Sequence, residues 1–279
     1  MKWLAGAIVL FSALVATPLT LAQQRIASLG FEVRDANNAD PLSASVYVDG
    51  EKVGPRYVLP QGSESSIAME VRADAGAGYY TRTMTIFLEA INQDRAIFRI
   101  YLAPRNSSPM HNRASVANAS RFLQPGNVDR AIALLESIVE ETSPALKESQ
   151  FGLYLKYNLW RAYFIGCTQK FLDYCSDASD IQRELLRISK NRPDYFLAER
   201  VTTEELLLGS REILDSKLRL DYHRAKWDLR RNRPEDALVS LKQLIRATEE
   251  DAKLLGRLRI TREDLDLLFA EATGAKQPS

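Results

Sequence analysis

The sequence predicts an α+β chain in two parts, an amino-terminal antiparallel β-sandwich followed by an all-α solenoid of helical hairpins. Three observations carry that expectation. Apolar residues alternate with polar ones between residues 25 and 104, which is the period of a strand. Beyond a polar, Pro-containing junction at Asn106 to Asn112 the period changes to that of a helix. Small residues then recur where paired helices must touch. At 279 residues, 46% hydrophobic and 26% charged, the chain lies in the globular range and is long enough for two cores. Lys plus Arg at 37 against Asp plus Glu at 36 leaves no net field to recruit nucleic acid or an anionic membrane.

The first element is a targeting segment. Met1-Lys2 supplies a positive start, Trp3 to Val15 is apolar apart from Gly6 and Ser12, and Thr20-Leu21-Ala22 offers small residues for a signal peptidase. Cleavage near Ala22 is expected, which places the protein in the periplasm or outside the cell. The other reading is a retained anchor, because Trp3 to Ala22 matches the roughly 20 residues of a spanning helix. Pro18 and the small-residue exit favour cleavage, and no Cys follows to carry a lipid.

Strands follow over 25–104. Ala27, Leu29, Phe31 and Val33 alternate with polar or small residues, as do Val46 and Val48, then Ile67, Met69 and Val71. Met84, Ile86 and Leu88, and finally Phe98, Ile100 and Leu102, close the series. Asp49-Gly50 specifies a two-residue hairpin, since both residue types tolerate positive φ. The run from Pro41 to Gly54, with Val46-Tyr47-Val48-Asp49-Gly50 at its centre, resembles the central hairpin of PEGA-type and carboxypeptidase-regulatory-like domains. These are small transthyretin-like sandwiches common in bacterial surface proteins. The Pro-Glu-Gly-Ala signature itself is absent.

A linker over 105–111 separates this part from helices over 112–272, and a disordered tail over 273–279 is expected. Val128, Ala131, Ile132, Leu135, Ile138 and Val139 form one helical face, and Ala237, Leu238, Leu241, Leu244 and Ile245 another. The first face has a recognisable context. Ala119, Phe122, Gly126, Asn127, Ala131, Leu135, Ile138 and Pro144 resemble the tetratricopeptide pattern, with a small residue in the first helix, an aromatic near its end, a Gly turn and an Ala at the close contact. Ala225, Trp227, Asn232, Ala237, Leu241 and Leu244 repeat it, with Pro234 suited to a first helical turn. Ser115 and Asn118 stand where the family has Trp and Leu. The resemblance covers about 111–272 and implies a TPR-like domain. Between its two units a divergent helix pair is expected, Leu146 to Ile165 and Ala178 to Lys190.

Cys167 and Cys175 lie at the joint of that middle pair. In an exported chain they are expected to bond. Eight residues of one helix would hold their α-carbons about 12 Å apart, beyond the roughly 4.4–6.8 Å a disulfide allows, so the chain must turn between them. Gly166 is the expected helix stop. A redox-active pair is the sharper reading, against which the spacing is not Cys-x-x-Cys.

No catalytic, metal-binding or cofactor-binding residue is assigned. The two histidines, His111 and His223, lack ligands at metal spacing, and no nucleophile elbow, His-Glu-x-x-His or phosphate loop is present. Glu140-Glu141, Glu204-Glu205 and Glu249-Glu250 read as solvated helix edges. Asp35, Asn37, Asn38 and Asp40 read as a turn before they read as a calcium loop. Two groups stand as partner-binding candidates. Tyr154, Tyr157 and Trp160 belong to an aromatic helix whose first reading is core packing and whose second is a groove for a partner. Arg224, Trp227 and Arg231 belong to a basic, aromatic segment read as a solvated face or as a site for an acidic peptide or glycan.

Together these features predict an exported, non-enzymatic interaction module or scaffold of the bacterial cell envelope. Its helices would hold an envelope protein or peptide, with no cofactor, no nucleic acid partner and no stable membrane insertion after cleavage. The alternative is cell-wall glycan, peptidoglycan in particular, bound through the sandwich with Tyr79, Tyr80 and Tyr101 as stacking residues.

Overall fold

The computed structural model describes residues 28–59, 66–89, 95–105, 112–124, 126–169 and 174–274. The targeting segment, Ala27, His111, nearly all of the expected linker and most of the expected tail lie outside these residues, and the side chains of Ile67 and Leu88 are likewise not described. The chain is α+β, with two small sheets on the amino-terminal side and helices after them.

Seven strands form among the described residues: β1 (Ser28–Asp35), β2 (Ser45–Val48), β3 (Glu51–Val53), β4 (Arg56–Val58), β5 (Ser66–Asp74), β6 (Arg82–Glu89) and β7 (Arg95–Leu102). One sheet has the order β4-β1-β7 and the other β3-β2-β5-β6. The alternation decides the buried side. Leu29, Ile100 and Leu102 of the first sheet and Met69, Val71 and Ile86 of the second are almost wholly inaccessible and share one apolar cluster. The Asp49-Gly50 turn forms as the dipeptide requires, with φ of 48° and 86°, joining Val48 to its partner Glu51.

One pairing departs from the expected antiparallel arrangement. β1 and β7 run parallel, in register from Ser28↔Arg95 to Asp35↔Leu102. Side-chain alternation has the same period in either direction, so it carries no information on strand sense. The short β4, unannounced by any long alternating run, pairs antiparallel on the other side of β1.

Ten helices follow among the described residues: α1 (Arg113–Ser120), α2 (Val128–Glu141), α3 (Pro144–Lys147), α4 (Gln150–Gln169), α5 (Cys175–Asn191), α6 (Pro193–Glu199), α7 (Thr203–Arg230), α8 (Pro234–Glu250), α9 (Leu254–Leu258) and α10 (Arg262–Thr273). Their starts follow local chemistry. Asn112 caps α1, Thr202 caps α7 through the Glu205 N–H, and Pro234 occupies the first turn of α8. The small residues lie where close contact demands them: Ala119 and Ala131 are buried where α1 meets α2, and Ala225 and Ala237 where α7 meets α8. Gly126 takes a φ of 125° in the α1–α2 turn, and half-buried Phe122 is covered by the Arg130 guanidinium at 3.9 Å.

The largest apolar cluster does not stop at the sheets. It continues into Val116, Val128 and Ile132, then into Leu155, Leu159 and Ala162, and reaches Ile213, Leu220 and Trp227 of α7. At its polar edge lies Arg82 of β6, almost completely buried. Its guanidinium donates to Asp129 Oδ1 at 2.8 Å, to the Tyr101 carbonyl at 3.1 Å, to Glu136 Oε2 at 3.2 Å and to the Tyr174 hydroxyl at 2.6 Å. Asp129 in turn accepts the Tyr101 N–H at 3.1 Å, and Glu136 accepts the Tyr163 hydroxyl at 2.9 Å. One cation thus ties β6 and β7 to α2 and, through tyrosines, to α4 and α5. Burial works most strongly against the charge on Arg82, but Asp129, Tyr174 and Glu136 together outweigh it, and its pKa is raised.

Cys167 and Cys175 are disulfide-bonded with their α-carbons 4.8 Å apart. The helix does not stop at Gly166, however; α4 runs on to Gln169. Gly166 serves a different purpose. A Cβ there would lie 2.7 Å from Cδ2 of Tyr174, so the missing side chain lets that ring lie against the α4 backbone, 5.2 Å from the Tyr163 ring and stacked on it. A helix-stop glycine and a packing glycine look alike in sequence near a helix end.

Two outcomes are expected. Gly166→Ala should destabilise by about 1–3 kcal/mol through overpacking, despite the roughly 1 kcal/mol that Ala gains over Gly in helix propensity; urea unfolding measures the balance. Arg82→Met should cost about 3–5 kcal/mol by stranding the Asp129 carboxylate. Adding Asp129→Asn should recover more than half of that loss in the same measurement.

Candidate functional site

Of the six partner-binding candidates, Trp160 lines one cleft and Arg224, Trp227 and Arg231 line another, both built on α7, while Tyr154 and Tyr157 line neither. Helix α7 is 28 residues long, about 42 Å. Its amino-terminal half lies against α4 and its carboxyl-terminal half against β5 and α8.

Against α4 the two helices leave a groove of about 580 Å³. Trp160, Phe164 and Ile165 of α4 form its floor, and Leu208 and Gly209 of α7 the side facing them. Tyr157, Trp160 and Phe164 follow one another along α4 at i, i+3 and i+7, with ring centroids 5.9 and 5.6 Å apart. Gly209 allows the approach, since a Cβ there would stand 3.2 Å from both Trp160 and Phe164. Thr202, Glu204, Glu205 and Glu212 line the α7 side, and Arg161 is the one basic residue among the described residues of the lining. Glu205 accepts the Tyr157 hydroxyl at 2.6 Å, and that phenol is raised in pKa by burial and by this carboxylate. Leu208, on the rim, is 70% exposed, and its neighbour Leu207 is also exposed.

Tyr154 lies a turn earlier, outside the groove, with the Arg113 guanidinium 4.8 Å from its ring centre. Trp160, at 3% exposure, forms the floor of the groove rather than a projecting anchor. Leu208, Gly209, Glu204, Glu205 and Glu212 were not among the candidates. A glycine inside a helical pattern is a signal of close approach, and paired leucines among carboxylates signal an uncovered apolar spot.

Arg224, Trp227 and Arg231 come together in a second, more polar cleft of about 420 Å³, between the carboxyl-terminal end of α7 and the second sheet. Asp49, Ala68, Glu70, Thr85, Asp228 and Arg233 complete its lining. Arg231 pairs with Asp49 at the hairpin turn, and Trp227 is 3% exposed. Arg224 and Arg231 therefore lie part-buried at the seam between helix and sheet, while Arg230 and Arg233 are exposed. Phe87 belongs to the same seam. It points to the side of β6 opposite Met84 and Ile86, yet is buried with its ring 4.6 Å from the His223 ring of α7.

The sandwich tyrosines are engaged within the protein. Tyr79 donates to Asp35 at 2.9 Å, Tyr80 donates to Glu141 at 3.3 Å beneath the Arg105 guanidinium, and Tyr101 is buried. Asp35 also accepts the Asn37 N–H at 2.6 Å, while Asn38 accepts that of Asp40 at 2.9 Å, which accounts for the polar cluster as a turn. Among the described residues no three His, Cys, Asp or Glu side chains are grouped to hold a metal ion, and no helix is long and apolar enough to cross a membrane. Comparison of the chain with family models, curated proteins and solved structures finds no match.

Two groups in the helix–sheet seam titrate abnormally and in opposite senses. Burial, assisted by Lys226 and Arg219, pulls the His223 imidazole down from 6.5 to about 4. Burial, assisted by Asp236 and opposed by Arg224, Arg233 and Arg231, pushes the Asp228 carboxyl from 3.8 up to about 6. Below pH 6.5 the unfolded chain binds a proton at His223 that the native state refuses, so stability falls with pH down to about 4. Above pH 3.8 the unfolded chain releases a proton that native Asp228 retains, so stability falls as pH rises to about 6. The two slopes cancel where they overlap. Relative to the parent protein, His223→Gln should therefore gain stability on acidification from pH 6.5 to 4, and Asp228→Asn on raising the pH from 4 to 6. Each slope is limited to about 1.4 kcal/mol per pH unit, and urea titrations across this range measure both.

Proposed function

We propose that the protein is an exported, non-enzymatic interaction module of the bacterial cell envelope, and that it holds a partner's polypeptide segment in the groove between α4 and α7. The observation that carries this reading is the groove itself: an aromatic floor with an exposed leucine at its rim, left uncovered by the described residues.

The order of helix contacts supports a solenoid of TPR-like hairpins. α1 packs on α2 and α4, α4 on α5 and α7, and α7 on α8, so the first helix of each pair meets both its own partner and the first helix of the next pair. In such a stack the first helices line one surface, and the groove lies between two of them. For the strands, the shared buried cluster of the two sheets supports a transthyretin-like sandwich, modified by the parallel β1–β7 pair. Export rests on the amino-terminal charge and apolar pattern, and the buried disulfide is consistent with an oxidising compartment. Glycan binding through Tyr79, Tyr80 and Tyr101 has less support, because the first two hydroxyls are engaged and the third ring is buried.

A photoreactive benzoylphenylalanine at position 208, in the envelope of cells making the protein, should yield one discrete protein adduct. The same group at Leu267 of α10, exposed but remote from the groove, should not. Equal adduct patterns from the two positions, or none from position 208, would count against the groove as the binding surface.

A further inference from the structure

The lining of the α4–α7 groove also specifies the chemistry of its occupant. We infer that it takes a cationic amphipathic segment, with an apolar residue set between two lysines or arginines; this rests on the reading of the groove as a partner site. Among the described residues of its lining, three carboxylates, Glu204, Glu205 and Glu212, stand against one cation, Arg161. Glu205 remains an acceptor for charge although Tyr157 donates to it, because a phenol neutralises nothing. All three glutamates are exposed, so they act at a solvated rim while Trp160, Phe164 and Ile165 form the apolar floor.

Spacing sharpens the inference. Glu204 and Glu212 are eight residues apart on one helix, which separates them by about 12 Å along its axis. Leu208 falls midway between them. An occupant lying along α7 therefore meets negative charge, then an apolar floor, then negative charge again. A helix with lysines at i and i+7 reproduces that span at about 10 Å, and places leucines at i+3 and i+4 over the floor. An acidic segment would instead face like charge at both ends. A nucleic acid backbone would face the same repulsion.

The test uses the full chain and three fluorescein-labelled octapeptides, KAALLAAK, QAALLAAQ and EAALLAAE, read by fluorescence anisotropy at two salt concentrations. Two exposed ion pairs, together with the repulsion they replace, lead to roughly tenfold tighter binding of the lysine peptide than of the glutamate peptide. That preference should shrink at high salt. Leu208→Asp should abolish binding. The double variant Glu204→Lys/Glu212→Lys should reverse the order of the lysine and glutamate peptides, with circular dichroism confirming that it is folded.

Equal affinity for the three peptides, still lost in Leu208→Asp, would overturn the charge preference while leaving the groove as a binding surface. Binding of the lysine peptide that survives Leu208→Asp, or an order that the double charge reversal leaves unchanged, would overturn the inference as well. Failure of all three peptides to bind would do the same, and the photocrosslink at position 208 then decides separately whether the groove binds any partner.

Discussion

The arrangement of this protein depends on the burial of one guanidinium. Arg82 enters at the end of a strand, where the inter-sheet face would otherwise meet water, and α2 closes over it. A buried cation is costly unless every donor is used. Here the acceptors come from separate parts of the chain: a strand carbonyl, the Asp129 and Glu136 carboxylates of α2, and the phenol of Tyr174 beside the disulfide. Asp129 lies in the first turn of α2, where the helix dipole favours a carboxylate. The geometry that satisfies Arg82 is therefore also the geometry that docks helices on sheets.

The groove inherits its shape from that docking. α4 is held by Tyr163 on Glu136, by the Tyr174 ring over Gly166 and by the disulfide at its carboxyl-terminal end. α7 is held at its other end, by Phe87 against His223 and by the pairing of Arg231 with Asp49. α4 is held through α2 and α7 against β5, and α5 packs on both helices. Gly209 brings α4 and α7 near at one level, and an open apolar channel remains beside it. In this respect the strands form the frame for a site to which they contribute no residue.

Much of the fold was legible because it follows from local rules. Hydrophobic period located β1, β2, β5, β6 and β7, and Asp49-Gly50 located their tightest turn. Small residues at 119, 131, 225 and 237 located two helix contacts, and the distance limit on a disulfide required a turn between Cys167 and Cys175. The site was less legible. Aromatic residues at 157 and 160 pointed to α4, but their partners on α7 lie some 50 positions away, and only Gly209 and the exposed leucines carried a trace of them. The arginines at 224 and 231 read in sequence as a solvated face or as an acidic-ligand site; the structure brings them together in one cleft and pairs Arg231 with Asp49, a partner 182 positions away that the sequence does not indicate.

What the amino-acid order determined by itself was the kind and succession of elements, since backbone propensity, turn chemistry and apolar period act within a few residues. Strand direction, the role of Gly166, the fate of Arg82 and the opposing titrations of His223 and Asp228 were decided only by the tertiary structure. Each of these depends on desolvation and contact between residues remote along the chain, and a buried charge or a missing Cβ acquires its meaning from whatever atoms come to surround it.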